Sequence, residues 1–352
     1  MLTGKRVVVT GGTGSLGKVL VRRLLTGEVG LPAQVTVFSR DEAKQHSMRL
    51  AFERLRTATD EVIYHNFERL LQFRIGDVRD PHSVATGLRE ADVVFNAAAL
   101  KQVPSCEYFP YEAVQTNVNG AENIIRAIRE HRLPVETVVG VSTDKACKPV
   151  NVMGMTKAVQ ERLFVRANLD AVSTRFICVR YGNVLASRGS VIPLFHEQIR
   201  RGGPLTITTT DMTRFLLSLE QAVDTILAAV RGARRGETYI PRVPSARVTD
   251  IAAALIGDRG IETRVTGIRP GEKVHEILVS EEEAYRTVDR GDYYCIQPML
   301  PELLEGEQTE SPIGREYSSA DDLMTTEEVR ALLERHKLMV GDRFVYEEDM
   351  LA

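Results

Sequence analysis

The chain has 352 residues, of which 43% are hydrophobic and 26% charged, and its formal net charge is −3. These values are typical of a soluble globular protein with one large domain or two of ordinary size. They do not favour binding to nucleic acid or to a membrane surface through bulk charge, and no apolar run is long enough for a membrane span. The start of the chain lacks the pattern of a signal peptide, and the scattered cysteines lack a metal or redox spacing. We therefore expect a cytoplasmic protein without a metal site.

The first predicted strand, Arg6 to Thr10, leads into a glycine-rich turn and then into an apolar pattern with helical spacing. Gly11, Gly14 and Gly17 have the GxxGxxG spacing of a dinucleotide-binding turn between a strand and a helix. Glycines let the backbone approach a pyrophosphate closely, and the helix N-terminus supplies free N–H groups and a favourable dipole. The candidate cofactor-binding residues of this turn are Gly11, Thr13, Gly14, Ser15, Leu16 and Gly17.

The end of the second predicted strand, Gln34 to Phe38, indicates which dinucleotide is bound. Folds that select NAD usually place an acid here, where it accepts hydrogen bonds from the ribose 2′-hydroxyl. This chain has Ser39 and Arg40 instead, with Lys44 close behind. A guanidinium and an ammonium suit a 2′-phosphate, which favours NADP. The alternative interpretation is a basic loop that pairs with its own neighbouring acidic residues.

Two further strands are predicted after a charged, helix-rich connection. The third closes on an acid, where such folds usually hold the adenine amine. The fourth ends in small residues that would let the backbone approach the cofactor, and a lysine follows at the rim of the crevice. The candidate cofactor contacts of this region are Asp77, Val78, Ala97, Ala99 and Lys101.

A helix is predicted from Tyr111 to Arg132, with Asn117 and Asn123 on its polar side. With it, four strand–helix units follow one another in series. Such a series predicts an α/β fold with a doubly wound parallel (Rossmann) sheet. Beyond it the pattern becomes less regular, as expected for a smaller C-terminal α/β substrate domain.

A buried strand is predicted immediately before the polar cluster Ser142, Thr143, Asp144 and Lys145. Because the carboxyl ends of parallel strands line the ligand crevice, a hydroxyl, a carboxylate and an amine arrive together where chemistry would occur. Lys157 follows one turn into a helix, on the same face as Met153. The alternative is a strand-end turn whose charges are merely solvated.

Ten motifs of this sequence occur in the order seen in extended short-chain dehydrogenase/reductases: TGGTGSLG, SRDEAK, GDVRD, NAAALKQVP, TNVNGAENI, STDKA, MGMTK, RYGNVLASRGSVIP, DMTRF and GIRPGEK. Over roughly residues 5 to 325, the chain resembles the inverting UDP-N-acetylglucosamine 4,6-dehydratases (5-epimerising). The resemblance implies bound NADP, UDP-GlcNAc as substrate, and a homo-oligomer that is often a hexamer.

The resemblance also implies a division of the chain. Residues 1–180, completed by 215–242, would form the NADP-binding Rossmann domain. Residues 181–214 and 243–330 would form the UDP-sugar-binding domain, and 331–352 a C-terminal helix and tail. The substrate contacts that the resemblance implies are Lys101, Asn183, Val191, Thr206, Arg214, Arg269 and Glu272. Two arginines among them suit a diphosphate.

Each catalytic candidate has an expected role. Lys145 would take the sugar C5 proton, its pKa lowered by partial burial and by an adjacent nicotinamide cation. Asp144 would protonate the leaving C6 hydroxyl, with a pKa raised by enclosure. Thr143 would hydrogen-bond the C4 oxygen. Lys157, which also counts among the cofactor contacts, would hold the nicotinamide ribose and keep positive charge near the developing alkoxide.

Met153, a further candidate cofactor contact, departs from the superfamily pattern Tyr-x-x-x-Lys. A thioether is no useful proton acceptor, so the group that deprotonates the C4 hydroxyl is left open among Asp144, Lys145 and a water relay. A UDP-sugar C4-epimerase is the alternative enzyme, although an epimerase does not need the pair Asp144–Lys145. An NADP-binding regulator without catalysis is the alternative outside enzymes.

Overall fold

The computed structural model describes residues 1–54, 61–185, 190–304 and 313–342. Three stretches singled out in the sequence therefore lie partly outside the described residues. The RYGNVLASRGSVIP motif is described except for 186–189. The segment 302–315, whose acidic, Pro- and Gly-bearing composition predicts exposure, is described except for 305–312, and the C-terminal tail lies outside the described residues from 343 onward.

The strands are, in chain order, β1 (Arg6–Thr10), β2 (Gln34–Ser39), β3 (Leu71–Ile75), β4 (Val93–Asn96), β5 (Thr137–Thr143), β6 (Arg175–Tyr181), β7 (Leu205–Ile207), β8 (Thr213–Phe215), β9 (Thr238–Pro241), β10 (Ser245–Arg247), β11 (Thr263–Val265), β12 (Ile277–Val279), β13 (Thr287–Asp289), β14 (Tyr293–Ile296) and β15 (Tyr317–Ser318). The α-helices are α1 (Ser15–Thr26), α2 (Glu42–Arg54), α3 (Glu61–Leu70), α4 (Pro81–Gly87), α5 (Val103–Tyr108), α6 (Pro110–Ala113), α7 (Gly120–His131), α8 (Val152–Asp170), α9 (Val191–Arg200), α10 (Leu219–Gly232), α11 (Val248–Ile256), α12 (Glu281–Ala284) and α13 (Thr326–Arg335).

Within the described residues, nine strands form one sheet in the order β13-β14-β9-β6-β5-β4-β1-β2-β3. Neighbouring strands from β3 to β9 run parallel, whereas β14 and β13 add an antiparallel edge. The strand order reverses at β1, which pairs with β2 on one side and β4 on the other. The predicted doubly wound parallel sheet is confirmed, and its switch point lies beside β1, where such folds bind ligands.

The sheet extends further along the chain than the expected domain boundary. The sequence assigns 243–330 to the second domain, but β13 and β14 continue the large sheet beyond β9. They do so because Tyr293–Ile296 pairs backbone to backbone with Thr238–Pro241. Strand β9, which contains Tyr239, is thus paired on both edges, with β14 on one and β6 on the other.

Apolar side chains cover both faces of the sheet, which explains the almost continuous apolar runs of its central strands. In β1, Val7 and Val9 face the cluster formed with α1 and α10. Val8 faces the cluster formed with α4, α7 and α8. A third cluster joins α9, α11 and α13 in the second half of the chain. None of the helices in the described ranges combines the length and apolar character needed to cross a membrane.

The helix expected from Tyr111 to Arg132 is interrupted. A π-helical segment, Val114–Asn119, separates α6 from α7. Asn117 lies in this segment, fully buried instead of on a polar face, and its amide exchanges hydrogen bonds with the backbone of Leu100. Asn123 is buried as well and donates to the carbonyl oxygen of Val78. The expectation of a polar face was wrong because both amides bond to the loops at the strand ends.

A buried ionic network connects the two halves of the chain. The Arg180 guanidinium of β6 is 2% exposed. It donates to both carboxylate oxygens of Glu161 on α8, at 3.0 and 2.6 Å, and to both of Glu283 on α12, at 2.6 and 2.9 Å. One cation therefore joins the sheet, a helix that covers it and a helix of the C-terminal half.

Replacing Arg180 by Met should leave two buried carboxylates without their common partner. Because removing one member of a buried pair typically costs about 3–5 kcal/mol, we expect a loss of that order in the free energy of unfolding. Urea titration would measure it. Arg166→Met is the matched control, since this exposed arginine of α8 forms a surface ion pair with Asp170, and the loss should stay below about 1 kcal/mol. Equal losses in the two variants would contradict the role assigned to the network.

Candidate active site

The candidate site lies at the carboxyl end of β5. The strand ends at Thr143, and a short 3₁₀ turn, Asp144–Ala146, follows. The Thr143 hydroxyl donates to Asp144 Oδ1 at 2.8 Å and accepts from the backbone N–H of Lys145. A threonine at the strand end therefore fixes both the turn and the Asp144 carboxyl.

Two buried carboxyl groups share the Lys145 ammonium. Lys145 Nζ lies 3.0 Å from Asp144 Oδ1 and 3.2 Å from Glu276 Oε1. Asp144 is fully buried and Glu276 is 2% exposed, whereas the Lys145 side chain keeps 21% of its surface. Asp144 Oδ2 and Glu276 Oε2 find no hydrogen-bond partner within the described part of the chain. Two buried carboxyl oxygens thus lack a hydrogen-bond partner among the residues described, beside a partly exposed amine.

The protonation of these groups follows from their surroundings. Burial raises the pKa of Asp144, and the Glu276 carboxylate raises it further, which agrees with the expected acid. Burial acts to lower the pKa of Lys145, but the Asp144 and Glu276 carboxylates outweigh it and raise the pKa above its ordinary value. In the protein without cofactor, the predicted lowering of the Lys145 pKa was wrong, because the Glu276 carboxylate was not predicted to lie beside Lys145.

Glu276 reaches the site through a segment of the C-terminal half that packs on the end of β5. The Gly271 carbonyl oxygen accepts from the side chain of Asn151 at 2.9 Å. The Lys273 ammonium donates to the carbonyl oxygen of Cys147. Sequence reasoning singled out GIRPGEK and stopped at Lys273, so it missed Glu276. The available signal was the acidic residue that ends the run VHE directly after the motif.

The first turn of α8 packs closely against the same strand end. The Asn151 side chain caps the helix by accepting from the N–H of Gly154 at 2.8 Å. A Cβ atom at Gly154 would lie 2.1 Å from the carbonyl oxygen of Lys145, so only glycine permits this approach. Lys157, one turn further on, is buried and donates to Gln160 Oε1 at 2.7 Å. Burial lowers the pKa of Lys157 to about 8.

Met153 occupies the position of the superfamily tyrosine and is 5% exposed. It packs in a small apolar cluster with Cys106 and Ala113, flanked by Leu100 and Val103. A side chain in these surroundings supplies packing and no proton acceptor.

The glycine turn between β1 and α1 fits a pyrophosphate. Gly11 has φ +67°, and a Cβ there would lie 2.8 Å from the backbone of Ala98. A Cβ at Gly17 would lie 2.5 Å from Gly12 Cα, so the helix can approach the turn only with glycine. Gly14 caps α1 without a side-chain hydrogen bond and is exposed. The first N–H groups of α1 therefore point towards space that an anion can occupy.

The end of β2 presents the expected cations. Ser39 is buried and accepts from the Thr13 hydroxyl at 3.3 Å. The Arg40 side chain is 59% exposed, and Arg40 Nη1 lies 3.9 Å from Asp77 Oδ2. Lys44 Nζ lies 3.6 Å from Asp41 Oδ2, the local pairing that the alternative interpretation supposes. Both are loose surface pairs that a 2′-phosphate could replace.

The other predicted cofactor contacts cluster around the ends of β3 and β4. Asp77 accepts from the Arg79 guanidinium, which contributes to lowering the Asp77 pKa against the opposing effect of burial. Val78 is buried, Ala97 is half-buried, and Ala99 and Lys101 are exposed.

Arg214 and Asn183 are two of the predicted substrate contacts. Arg214 Nε lies 3.8 Å from Glu276 Oε1, and the guanidinium also donates to the carbonyl oxygens of Thr213 and Val274. Asn183 Oδ1 is buried without a hydrogen-bond partner in the described residues.

The remaining substrate candidates lie on the second half of the chain. Arg269 is exposed, and its N–H donates to Glu272 in the turn that precedes Lys273. Thr206 on β7 bonds with Gln198 of α9, and Val191 begins α9 half-buried. A cavity of about 500 Å³ beside the starts of β1, β2 and β3 lies at the opposite ends of the strands and is not part of this site.

Comparisons with known proteins identify the family of the chain. The profile of the family described as "Polysaccharide biosynthesis protein" matches residues 7–298. The chain belongs to this polysaccharide-biosynthesis family.

Two curated relatives are equally similar to the chain. It is 41% identical to a protein named UDP-N-acetylglucosamine 4,6-dehydratase (inverting) from Campylobacter jejuni, over 85% of both chains. It is also 41% identical to a protein named UDP-glucose 4-epimerase from Rickettsia canadensis, over 95% of this chain and 96% of the relative. Among solved structures, Pen from Bacillus thuringiensis superposes with a TM-score of 0.83 at 33% identity, covering 96% of this chain and all (100%) of that one.

Proposed function

We propose that this member of the polysaccharide-biosynthesis family is a C5-inverting UDP-N-acetylglucosamine 4,6-dehydratase that uses NADP. The observation that carries the proposal is the buried pair Asp144–Lys145 at the carboxyl end of β5, with an amine held 3.0 Å from a carboxyl group of raised pKa. An acid and a base side by side are what an elimination of water requires. The similarity to the Campylobacter dehydratase supports the same activity.

Water is difficult to remove from C5 and C6 of a hexose because the C5 proton is not acidic. It becomes acidic once C4 is a ketone. A bound NADP would supply the oxidation at C4 and the matching reduction at C6, so the net reaction is a dehydration. The glycine turn would hold its pyrophosphate, and Lys157 its nicotinamide ribose.

Lys145 and Asp144 then divide the elimination between them. With the cationic nicotinamide of bound NADP disfavouring the ammonium, Lys145 would enter the reaction as the neutral amine and take the C5 proton, while Asp144 would give its proton to the C6 hydroxyl. The C5–C6 double bond forms, the C6–O bond breaks, and water leaves. If Lys145 returns its proton to the opposite face of C5, that centre is inverted. Thr143 would bond the C4 oxygen.

The epimerase alternative has a specific observation in its favour, because the Rickettsia relative aligns over a larger share of this chain than the Campylobacter relative does. A C4-epimerase changes only C4. It touches neither the C5 proton nor the C6 hydroxyl, and therefore has no use for the acid–base pair at Asp144 and Lys145. The product distinguishes the two activities.

We also propose a homo-oligomer, a hexamer as the resemblance implies. The side chains of Tyr108, Phe109 and Tyr111 at α5 and α6 are 82%, 63% and 67% exposed. Three adjacent exposed aromatic residues supply apolar surface of the kind that subunit interfaces cover.

The decisive experiment follows an isotope from substrate to product. UDP-GlcNAc deuterated at C4 should give a 4-keto sugar with deuterium in its C6 methyl group and no net reduced cofactor, as read by NMR and absorbance. A product epimerised at C4 that keeps its C6 hydroxyl would instead establish the epimerase. Consumption of NADP in equal amount to product would indicate an ordinary dehydrogenase.

Cofactor choice is tested at Arg40. Losing one charge-assisted contact to the 2′-phosphate should cost about 1.5–3 kcal/mol. Arg40→Ala should therefore narrow the preference for NADP over NAD by about ten- to a hundredfold, as measured by the dissociation constants of both cofactors. Equal affinity of the unmutated protein for the two would refute the choice of NADP.

The role of Lys145 is tested by replacement with Ala. A general base typically contributes 10²–10⁴-fold, so methyl formation and solvent-deuterium exchange at C5 should both fall by about that factor. Lys148→Ala is the matched control, because this nearby lysine pairs with Glu316 on the surface and should retain near-normal rates. Near-normal exchange at C5 in Lys145→Ala would remove Lys145 from the mechanism.

A further inference from the structure

Glu276 lies beside Asp144 and Lys145, although it comes from the C-terminal half of the chain. Its Oε1 atom lies 3.2 Å from Lys145 Nζ and 3.8 Å from Arg214 Nε. Its Oε2 atom and Asp144 Oδ2 are both buried without a hydrogen-bond partner among the described residues. Two carboxyl groups, each with one unsatisfied oxygen, thus face a single ammonium.

We propose that Glu276 is a positioning residue that holds Lys145 and confronts Asp144 with a second carboxylate, so that Asp144 becomes the group that carries the transferable proton of the site. The inference rests on the proposed function in one respect, namely that the proton of Asp144 goes to the C6 hydroxyl. The distribution of charge within the site does not depend on that function.

The argument begins with the cost of burying charge. Two carboxylates that share a site with little water disfavour each other's ionised form, so one of them tends to keep a proton. Which one keeps it depends on the cations that each group faces. Glu276 faces Lys145, Arg214 and Lys273, and all three stabilise its ionised form. Asp144 faces Lys145 and the Thr143 hydroxyl, with Glu276 opposing its ionisation.

The two environments therefore move the pKa values of the two carboxyl groups apart. The cations around Glu276 lower its pKa in spite of burial, whereas burial and the Glu276 carboxylate raise the pKa of Asp144. Two titratable groups that are driven apart in this way define an acid and a counter-ion. Lys273 also lies within electrostatic reach of Asp144 and Lys145, and its own pKa is lowered by burial.

Glu276 acts on Lys145 in the same sense. The amine is held as an ammonium between Asp144 and the Glu276 carboxylate. Glu276→Gln keeps the size and a hydrogen-bonding oxygen but removes the charge. The pKa of Asp144 should fall because a like charge is lost, and the pKa of Lys145 should fall because a counter-ion is lost. In Glu276→Gln the pKa values of Asp144 and Lys145 should therefore fall together, and this joint fall identifies the effect of the variant.

The first measurement follows Asp144 without turnover. The protein is labelled with ¹³C at its aspartate carboxyl carbons, and the Asp144 signal is assigned as the one missing from Asp144→Asn. We expect the titration midpoint of that signal to fall by on the order of one pH unit or more in Glu276→Gln. Glu276→Asp, which restores the negative charge, should recover most of the shift. Glu262→Gln, at an exposed carboxylate before β11, is the control and should leave the midpoint unchanged.

The second measurement is the pH profile of methyl formation from UDP-GlcNAc. The alkaline and the acidic limb should both move to lower pH in Glu276→Gln. Unmoved limbs with a lower maximum, together with an unchanged Asp144 midpoint, would overturn the inference and leave Glu276 a structural residue. If the midpoint moves but the unmutated protein forms no 4-keto-6-deoxy sugar, the proposed dehydration fails while the electrostatic role of Glu276 stands.

Discussion

The meeting of one ammonium with two buried carboxyl groups is the constraint on which the rest of the site depends. Each charge would be costly to bury alone, and the Lys145 ammonium is tolerated between Asp144 and Glu276 because it neutralises part of their charge. Because there are two carboxyl groups and one ammonium, one of the carboxyl groups can hold a proton. A site that stores a proton beside a base suits acid–base chemistry better than simple binding.

The surrounding structure holds these three groups at hydrogen-bonding distance. Asn151 caps α8 and bonds to Gly271, so the same side chain fixes the helix and the incoming C-terminal segment. Gly154 lets the helix touch the carbonyl of Lys145. Behind the site, Arg180 ties β6 to α8 and α12. Asp144, Lys145 and Glu276 are therefore brought together only when the C-terminal half is packed on the sheet.

The sequence predicted those parts of the molecule that depend on local pattern. The glycine turn, the series of strand–helix units and the polar cluster after β5 are encoded by neighbouring residues, and the predicted fold was confirmed. The break before α7 was not predicted, because the π-helical segment depends on bonds between Asn117 and the Leu100 backbone. Glu276 was missed, and the pKa of Lys145 was misjudged, for one common reason. Both depend on a contact between distant parts of the chain, and no periodicity in either part reveals it.

Met153 shows how far the site departs from the superfamily pattern. A tyrosine at this position would need a partner for its hydroxyl, but the residues around Met153 form an apolar cluster with Cys106 and Ala113. The change at 153 is thus matched by its surroundings and is not an isolated loss. Proton transfer in the proposed reaction must then involve the groups that can exchange protons at the end of β5. Because Asp144, Lys145 and Glu276 share one charge balance there, a change in the protonation of any one of them alters the other two.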